Sequence, residues 1–581
     1  MKYLIVLLTL FSVQILFAQE SIFQLKMDTL KISHRIGGSK LDSVSDYNAG
    51  IISLNPGGYK YNAFGSFQTN YTSFLNSCSN QFETKTNSSF KYSSLPHLGF
   101  QYSFGSKGIQ ILRAEYEQFF SKKFGLNLVI DRNSIGEMMR DGIYKNNKFE
   151  FSTYFKGKFY KNLTSFRFNN STINQNGGLD SSSNSVKLFP LNFLVVNKTD
   201  AKSELKNLTS CSHHYFNFLN DSLKDLGLVI KNDFKINNRV YEEQDSLQLI
   251  YKNIYLDSFV TRDQFQFAKI QSSTGLYLAN KKLSSEILFS HAYWDFQNLS
   301  RHLDTTELSL SYLLGIDLGK VKLNSNSYYN LVGAKGEWYS KVNLLTEIGE
   351  IKVNGNLAFE NILPTIFQRK YFSNTNLWYL KDIKTQQKVT SHVDFSYVFK
   401  EKQTLKFGLN HTSLKNNYFF VDTTWRNDTL TNLNILSLDL KADFRFKSLI
   451  FQPYVIVNQF SNELNFIPKI DFRTRIGFNR RLFKAKKMDF IAAVDFSYQS
   501  SRKLMSYASD LDLYVLSNKQ FSNSSLYKID FFTGFQIEQF RFYIKAENVN
   551  YIWDKSDSFV FENIPITPFL IRIGLTWDFF N

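Results

Sequence analysis

The segment FLIRIGLTWDF at residues 569–579, close to the C-terminus, decides the fold of this chain. Apolar and mostly polar side chains alternate strictly along it. The apolar set is Phe569, Ile571, Ile573, Leu575, Trp577 and Phe579. Between them lie Leu570, Arg572, Gly574, Thr576 and Asp578. Because successive side chains of a β-strand point to opposite faces, this period of two predicts a strand with one apolar face.

The same alternation recurs along most of the 581-residue chain. In the run 436–446, every even position is apolar and every odd position is polar. Comparable runs begin at Leu98, Phe149 and Val393. With their flanking residues they reach the ~9–11 residues of a tilted membrane strand. We place roughly 20 such runs after Tyr59, which predicts an all-β fold, a closed antiparallel transmembrane β-barrel of roughly 18–22 strands.

Polar and glycine-containing segments separate these runs. Outer-membrane barrels join their strands by long extracellular loops and short periplasmic turns. The polar connections at 180–187, 298–306 and 517–525 are therefore predicted to be loops. The short connections at Gly319-Lys320 and Gly349-Glu350 are predicted to be turns.

The composition agrees with a two-faced sheet that faces lipid. The chain has 58 Phe and 32 Tyr, yet its mean hydropathy is −0.27. After the N-terminus it has no apolar run of about 18 residues, so no spanning helix is predicted. Alternation alone does not distinguish a membrane barrel from a soluble sandwich. The abundance of aromatic residues, the N-terminal segment and the C-terminal strand together favour the membrane barrel.

The N-terminal segment has the order of a secretory signal. A short basic start, Met1-Lys2, precedes the apolar stretch Tyr3–Phe17, and Ala18 and Gln19 follow at the expected cleavage region. The stretch is short for the ~20 residues of a spanning helix, so an N-terminal anchor is disfavoured. We predict a signal peptide at 1–19, a short periplasmic lead-in at 20–57 and the barrel at 58–581.

Several stretches resemble the "putative porin" family of Bacteroidetes, and the resemblance runs from about residue 50 to the end. The stretches are Leu98–Phe120, Gln175-Asn176-Gly177-Gly178, Tyr371-Phe372-Ser373-Asn374 with Trp378, Ile529-Asp530-Phe531-Phe532 and Ala546-Glu547-Asn548-Val549. One departure is Tyr507–Leu516, where the family tends to carry a proline-containing segment. The resemblance implies an outer-membrane barrel of a Gram-negative bacterium with passive permeability. The segment 569–579 also resembles the terminal strand that the barrel-assembly machinery recognises.

The sequence thus predicts a porin-like channel for passive diffusion of small solutes. Its predicted partners are outer-membrane lipid and lipopolysaccharide, the assembly machinery through the C-terminal strand, and the solutes; a homo-oligomer is left open. The alternative is a non-conducting barrel that serves as an adhesin or as a subunit of a surface complex. A plugged, energy-coupled receptor is disfavoured, because only residues 20–57 precede the alternation.

The net charge of +17 suggests a basic lumen that prefers anions. The densest basic group is Arg473, Arg475, Arg480 and Arg481, followed by Lys484, Lys486 and Lys487. In strict alternation Arg473 and Arg475 share a face. The alternative is that the segment from Arg480 onward forms a rim at lipid headgroups. Nucleic-acid binding is not predicted, because the basic residues are spread through the strands.

Neither a cofactor nor a metal nor an enzymatic site is predicted. The only cysteines are Cys78 and Cys211; His213 and His214 follow Cys211, but this spacing fits no zinc motif and no other ligand is near in sequence. Pairs such as His291 with Asp295 and His302 with Asp304 come without a nucleophile motif.

Overall fold

A computed structural model of the chain describes residues 95–580, apart from 181–185, 220–223, 245–246, 300, 400–402, 422, 428–431, 461–465, 484–486, 516–521, 524 and 555–558. The predicted signal peptide with Ala18 and Gln19, the lead-in at 20–57 and the strands predicted at 58–94 lie outside the described residues. No helix within the described ranges is long and apolar enough to cross a membrane.

Twenty-two antiparallel strands of the described chain form one closed sheet. They are β1 (His97–Gly105), β2 (Ile109–Ser121), β3 (Phe124–Ile135), β4 (Tyr144–Lys156), β5 (Tyr160–Asn174), β6 (Ala201–Asn217), β7 (Lys224–Glu243), β8 (Thr261–Asn280), β9 (Leu283–Asn298), β10 (Arg301–Asp317), β11 (Val321–Val332), β12 (Trp338–Ile348), β13 (Ile351–Ile362), β16 (Gln386–Phe399), β17 (Gln403–Lys415), β20 (Asn432–Phe446), β21 (Leu449–Phe460), β22 (Ile470–Leu482), β23 (Met488–Gln499), β28 (Leu526–Ile537), β29 (Phe540–Glu547) and β32 (Leu570–Phe580). Each pairs with its neighbour in this order, and β1 also pairs with β32. The predicted closed barrel is confirmed, with 22 strands.

Small two-stranded hairpins and single helical turns occupy the connections at one end of the barrel. The hairpin strands are β14 (Lys370–Phe372), β15 (Leu377–Tyr379), β18 (Phe419–Val421), β19 (Thr424–Arg426), β24 (Arg502–Lys503), β25 (Ser506–Ala508), β26 (Leu513–Val515), β27 (Ser522–Asn523), β30 (Phe559–Phe561) and β31 (Ile564–Pro565). The helical turns are Ser106–Gly108, Leu191–Phe193, Leu247–Ile250, Ile366–Arg369 and Val549–Ile552.

Burial along the strands is inverted relative to a soluble protein. In β20, Leu436, Leu438 and Leu440 are 41%, 40% and 42% exposed, whereas Ser437 between them is buried. The outer surface is therefore apolar and the inner surface polar. Such a surface is stable in hydrocarbon, because closure pairs the backbone groups that lipid cannot solvate.

The C-terminal strand closes the cylinder. Trp577 lies opposite Phe100, and Phe579 lies opposite Leu98 in β1. The rings of Trp577 and Phe579 stack on the outer face, with centroids 4.4 Å apart. Phe569 immediately precedes the strand.

The connections are long at one end of the barrel, the loop end, and short at the other, the turn end. Gly319-Lys320 and Gly349-Glu350 are tight turns at the turn end, as predicted. The prediction of a long loop at 298–306 is wrong. Residues from Arg301 onward pair with β9 instead, and Asp304 lies opposite Asp295. Polar side chains there extend the ladder rather than end it. By the usual asymmetry of such barrels the loop end is extracellular.

Candidate functional site in the barrel lumen

A network of charged side chains lines the inner wall where β28, β29 and β32 adjoin. It consists of Lys528, Asp530, Lys545, Glu547 and Arg572, which we call the lumen charge cluster. Arg572 donates two hydrogen bonds of 2.8 Å to the Glu547 carboxylate, and its exposure is 0%. Lys545 lies 3.3 Å from both Glu547 and Asp530, and Lys528 lies 3.0 Å from Asp530. Buried charges are tolerated in this way, paired and hydrogen-bonded.

The wall is packed tightly beside this cluster. Tyr543 of β29 points inward between Gly534 and Gly574 of the neighbouring strands. A Cβ atom at Gly574 would lie 2.3 Å from Cζ of Tyr543, so glycine is required for the ring to lie flat on β32. The cluster thus lies beside a closely packed part of the sheet.

The four predicted basic residues separate into two environments. Arg473 and Arg475 face the lumen as the alternation requires, and both are paired: Arg473 Nη2 lies 2.8 Å from Asp471, and Arg475 Nε lies 2.6 Å from Asp495. Arg480 and Arg481 are exposed near the turn end, where Arg481 lies 3.1 Å from Asp489. The arginines in the lumen are therefore neutralised by carboxylates. Lys487 is described at this end, whereas Lys484 and Lys486 lie outside the described residues.

Lys269 of β8 is an inner-wall cation in a different setting. Its Nζ lies 4.3 Å from the ring centroid of Trp294, the residue directly opposite on β9. Among the described residues, no carboxylate oxygen lies within 4.0 Å of this ammonium. A cation on an aromatic face is stabilised by ~0.5–2 kcal/mol.

The hairpins at the loop end fold inward over the lumen, and we call them the cap. A chain of aromatic contacts begins at Phe265 on the inner face of β8, whose ring lies 5.3 Å from Phe367. Phe367 lies 5.4 Å from Trp378, Trp378 lies 5.3 Å from Phe420, and Phe420 lies 5.4 Å from Trp425. The indole of Trp378 also donates a 2.8 Å hydrogen bond to the Phe367 carbonyl.

The cap also packs against a second sector of the wall. Leu433 and Ile435, on the inner face of β20, are buried beneath Phe419, Met505 and Phe561. This sector is separated from β8 and β9 around the barrel by β10–β13, β16 and β17. Since the cap touches both sectors, it crosses the mouth of the barrel.

Polar contacts lock the hairpins of the cap together at Asp510. Its Oδ2 accepts hydrogen bonds from Thr375 Oγ1 at 3.0 Å and Asn376 Nδ2 at 2.6 Å. Arg239 of β7 donates to the carbonyl of the preceding residue, Ser509, at 3.2 Å. Asp510 belongs to the segment 507–516, which departs from the family pattern in sequence.

Asn374 fastens the β14–β15 hairpin to the end of β8. Its backbone N–H donates to Asp263 at 2.9 Å, and its amide donates to Thr261 Oγ1 at 2.6 Å and to the Asp257 carbonyl at 2.7 Å. The two backbone N–H groups of Asp257 and the preceding Leu256 donate to its side-chain oxygen. The Tyr371-Phe372-Ser373-Asn374 stretch is thus a structural anchor of the cap.

Two tyrosines at the loop end, Tyr371 in the cap and Tyr251 in the connection between β7 and β8, remain neutral. Burial, reinforced by the Asp263 charge, raises the pKa of Tyr371 above its ordinary value. Burial, then the Asp510 charge, raises the pKa of Tyr251 well above its ordinary value. Tyr251 can therefore donate to Glu243, at 2.6 Å. Both phenols keep their protons at any physiological pH.

The remaining family-like stretches also meet at the loop end. Asp530 and Glu547 belong to the lumen charge cluster, and Asn548 donates from its backbone N–H to Asp530 at 2.7 Å. Gly177 and Gly178 have φ of 68° and 81°, which glycine adopts without strain. The backbone N–H of Leu179, which follows them, donates to Asn563 at 2.8 Å. The signal that located these residues was the resemblance; the periodicity did not single them out.

The spatial neighbours of the cysteine and histidine residues differ from their neighbours in sequence. Cys211 and His213 point into the lumen, and Asp233 lies directly opposite Cys211 on β7. Asp233 is not recognisable from the sequence, because its proximity to Cys211 depends on strand register. His302 contacts Asp295 at 2.6 Å rather than Asp304, its neighbour in sequence. Cys78 lies outside the described residues.

Several solved structures resemble this one in fold. The FrpB iron transporter from Neisseria meningitidis (F3-3 variant) has a TM-score of 0.58 at 8% identity, covering 84% of this chain and 81% of that chain. The siderophore receptor PirA from Acinetobacter baumannii has a TM-score of 0.57 at 10% identity, with the same coverages. The copper transporter OprC has a TM-score of 0.61 at 6% identity, again covering 84% and 81%. At these identities the likeness shows the fold alone.

A search of curated proteins finds no match. The family described as "Putative porin" matches residues 15–581, which is nearly the whole chain. With the closed barrel, its apolar outer face and its polar lumen, this match also places the protein in the outer membrane. The chain therefore belongs to the "Putative porin" family.

Proposed function

We propose that this protein lets small solutes diffuse passively across the outer membrane through its lumen, with the cap as the narrowest region. The observation that carries the proposal is the charged, hydrogen-bonded inner wall of a closed cylinder whose outer face is apolar. A polar wall is compatible with water and polar solutes, whereas the lipid-facing wall is not. The proposal includes no catalytic step and no cofactor. We further propose that a signal peptide is cleaved near Ala18 and Gln19 and that residues 20–57 form a short periplasmic lead-in.

Single-channel recording of the purified protein in planar bilayers tests this function. We expect discrete conductance steps that need no energy source. The control is the same preparation after heat denaturation, which should give none. Silence of correctly folded protein would contradict passive permeation.

A preference for anions is the finer part of the proposal. The arginines at 473 and 475 are neutralised, so the preference depends on cations such as Lys269, together with the net charge of +17. Reversal potentials in a salt gradient should show anion selectivity in the wild type and a weaker selectivity in Lys269→Gln. Lys320→Gln, at an exposed turn, is the matched control and should leave selectivity unchanged. Cation preference of the wild type would overturn this part.

A non-conducting barrel in a surface complex is the second candidate. It is favoured by apolar side chains exposed on the loops of the loop end, among them Phe193 and Phe259, each 71% exposed. Contiguous apolar patches exposed on loops are typical of protein contacts. If this candidate is correct, both the wild type and variants with a disrupted cap should be silent in bilayers.

A further inference from the structure

Three potential metal ligands converge on the lumen wall where β6 and β7 pair. Cys211 lies directly opposite Asp233 in the ladder, and His213 follows two residues later on the same face. The thiol sulfur, one imidazole nitrogen and one carboxylate oxygen all lie within 4.8 Å of one another. His213 Nε2 is 3.3 Å from Asp233 Oδ1.

This spacing suits a tetrahedral cation. Zinc binds sulfur at ~2.3 Å and nitrogen or oxygen at ~2.0–2.2 Å, so its ligands lie roughly 3.3–3.8 Å from each other. Small rotations of the side chains would bring the three donors to these distances. With three protein ligands, the fourth position is left for water from the lumen.

The donor types select among cations. Thiolate and imidazole are ligands for zinc and other thiophilic transition metals, whereas calcium and magnesium prefer oxygen. One neighbouring positive charge is compensated: Lys231, directly opposite His213, forms an ion pair with Glu286. That ammonium therefore does not stand alone against a bound cation.

The adjacent histidine provides an internal contrast. His214 points to the opposite face of β6, where its Nδ1 is 2.7 Å from the hydroxyl of Tyr160. Its ring also stacks on Tyr160, with centroids 6.0 Å apart. Two consecutive histidines thus have the same chemistry and different surroundings.

We propose that Cys211, His213 and Asp233 form a lumen site for a thiophilic divalent cation of the zinc type. The pattern is not visible as a motif, because the third ligand comes from the next strand. The site stands apart from the proposed permeability: binding is measured without current, so either can fail while the other holds.

Titration of the purified, detergent-solubilised protein with Co²⁺ tests the site. Cobalt replaces zinc in such sites, and a cobalt–thiolate bond gives an intense near-ultraviolet charge-transfer band. We expect one Co²⁺ per chain, displaced by Zn²⁺. Cys211→Ser should abolish the band, and His213→Ala and Asp233→Asn should each weaken binding by at least about tenfold.

His214→Ala and Cys78→Ser are the matched controls and should bind as the wild type does. The proposal is overturned if the band survives Cys211→Ser, or if His214→Ala weakens binding as much as His213→Ala. It is also overturned if the wild type gives no band. Heat-modifiable migration in gels verifies that each variant is folded, and should Cys211→Ser fail to fold, the affinities of His213→Ala and Asp233→Asn decide the question.

Discussion

The barrel wall and the cap are stabilised in different ways. In the wall each strand pairs with its neighbour in the chain, so a ladder such as that of β20 and β21 depends on nearby sequence. In the cap the decisive contacts join distant parts of the chain: Arg239 to Ser509 spans 270 residues, and Gln175 to Tyr507 spans 332. The wall is therefore encoded by a local pattern, whereas the cap is held by contacts that no local pattern contains.

The largest effect on the wall is expected at the C-terminal strand. Removal of Phe579-Phe580-Asn581, or Trp577→Ala, should abolish most of the outer-membrane yield, because Trp577, Phe579 and Phe580 pair with β1 where the cylinder closes. Quantitative immunoblotting of outer-membrane fractions measures the yield. Phe395→Ala, which removes an outward aromatic ring from β16 in mid-barrel, is the control and should be mild. Equal losses would contradict a special role for the terminal strand in assembly.

A smaller effect is expected in the lumen charge cluster. Glu547→Ala leaves Arg572 and Lys545 without their shared carboxylate, which should destabilise the wall by about 3–5 kcal/mol. Urea unfolding in lipid or detergent measures the change. Glu347→Ala removes the exposed partner of Lys352 and should cost only about 0–1 kcal/mol. If both variants lower the free energy of unfolding equally, burial does not strengthen the contribution of the cluster to stability.

The next largest loss of stability is expected from a substitution on the outer face of the wall. Leu438→Arg places a charge in lipid and should destabilise by about 2–4 kcal/mol if the residue lies near the midplane. Asp439→Arg changes the adjacent inner residue; it loses the 3.0 Å hydrogen bond from Asn410 but keeps a charge in the lumen, so its cost should be lower. The same unfolding measurement compares them. A higher cost for Asp439→Arg would contradict the assignment of faces.

The difference between wall and cap also explains which parts of the fold can be predicted from the sequence. Alternation located β20 and β32 because each side chain reports its own face. It failed at 298–306, since a polar residue such as Asp304 can extend a ladder beyond the lipid as well as form a loop. The pairing of Arg475 with Asp495, the approach of Asp233 to Cys211 and the inward fold of the cap depend on register and on distant contacts, which periodicity does not contain.

The smallest effect on the wall, and the sharpest contrast with the cap, is expected from Trp378→Ala. Trp378 is buried at the centre of the aromatic chain, so its loss removes contacts with Phe367, Tyr371 and Phe420. Hydrogen exchange should then accelerate throughout the cap hairpins, while exchange in β20 and the urea midpoint of the wall stay close to wild type.

Tyr379→Ala is the matched control. Tyr379 follows Trp378 in the same strand and is 65% exposed, so its substitution should change neither region. In bilayers Trp378→Ala should also conduct more than the wild type if the cap is the constriction. A wall that loses stability together with the cap would show that the two regions fold as one unit.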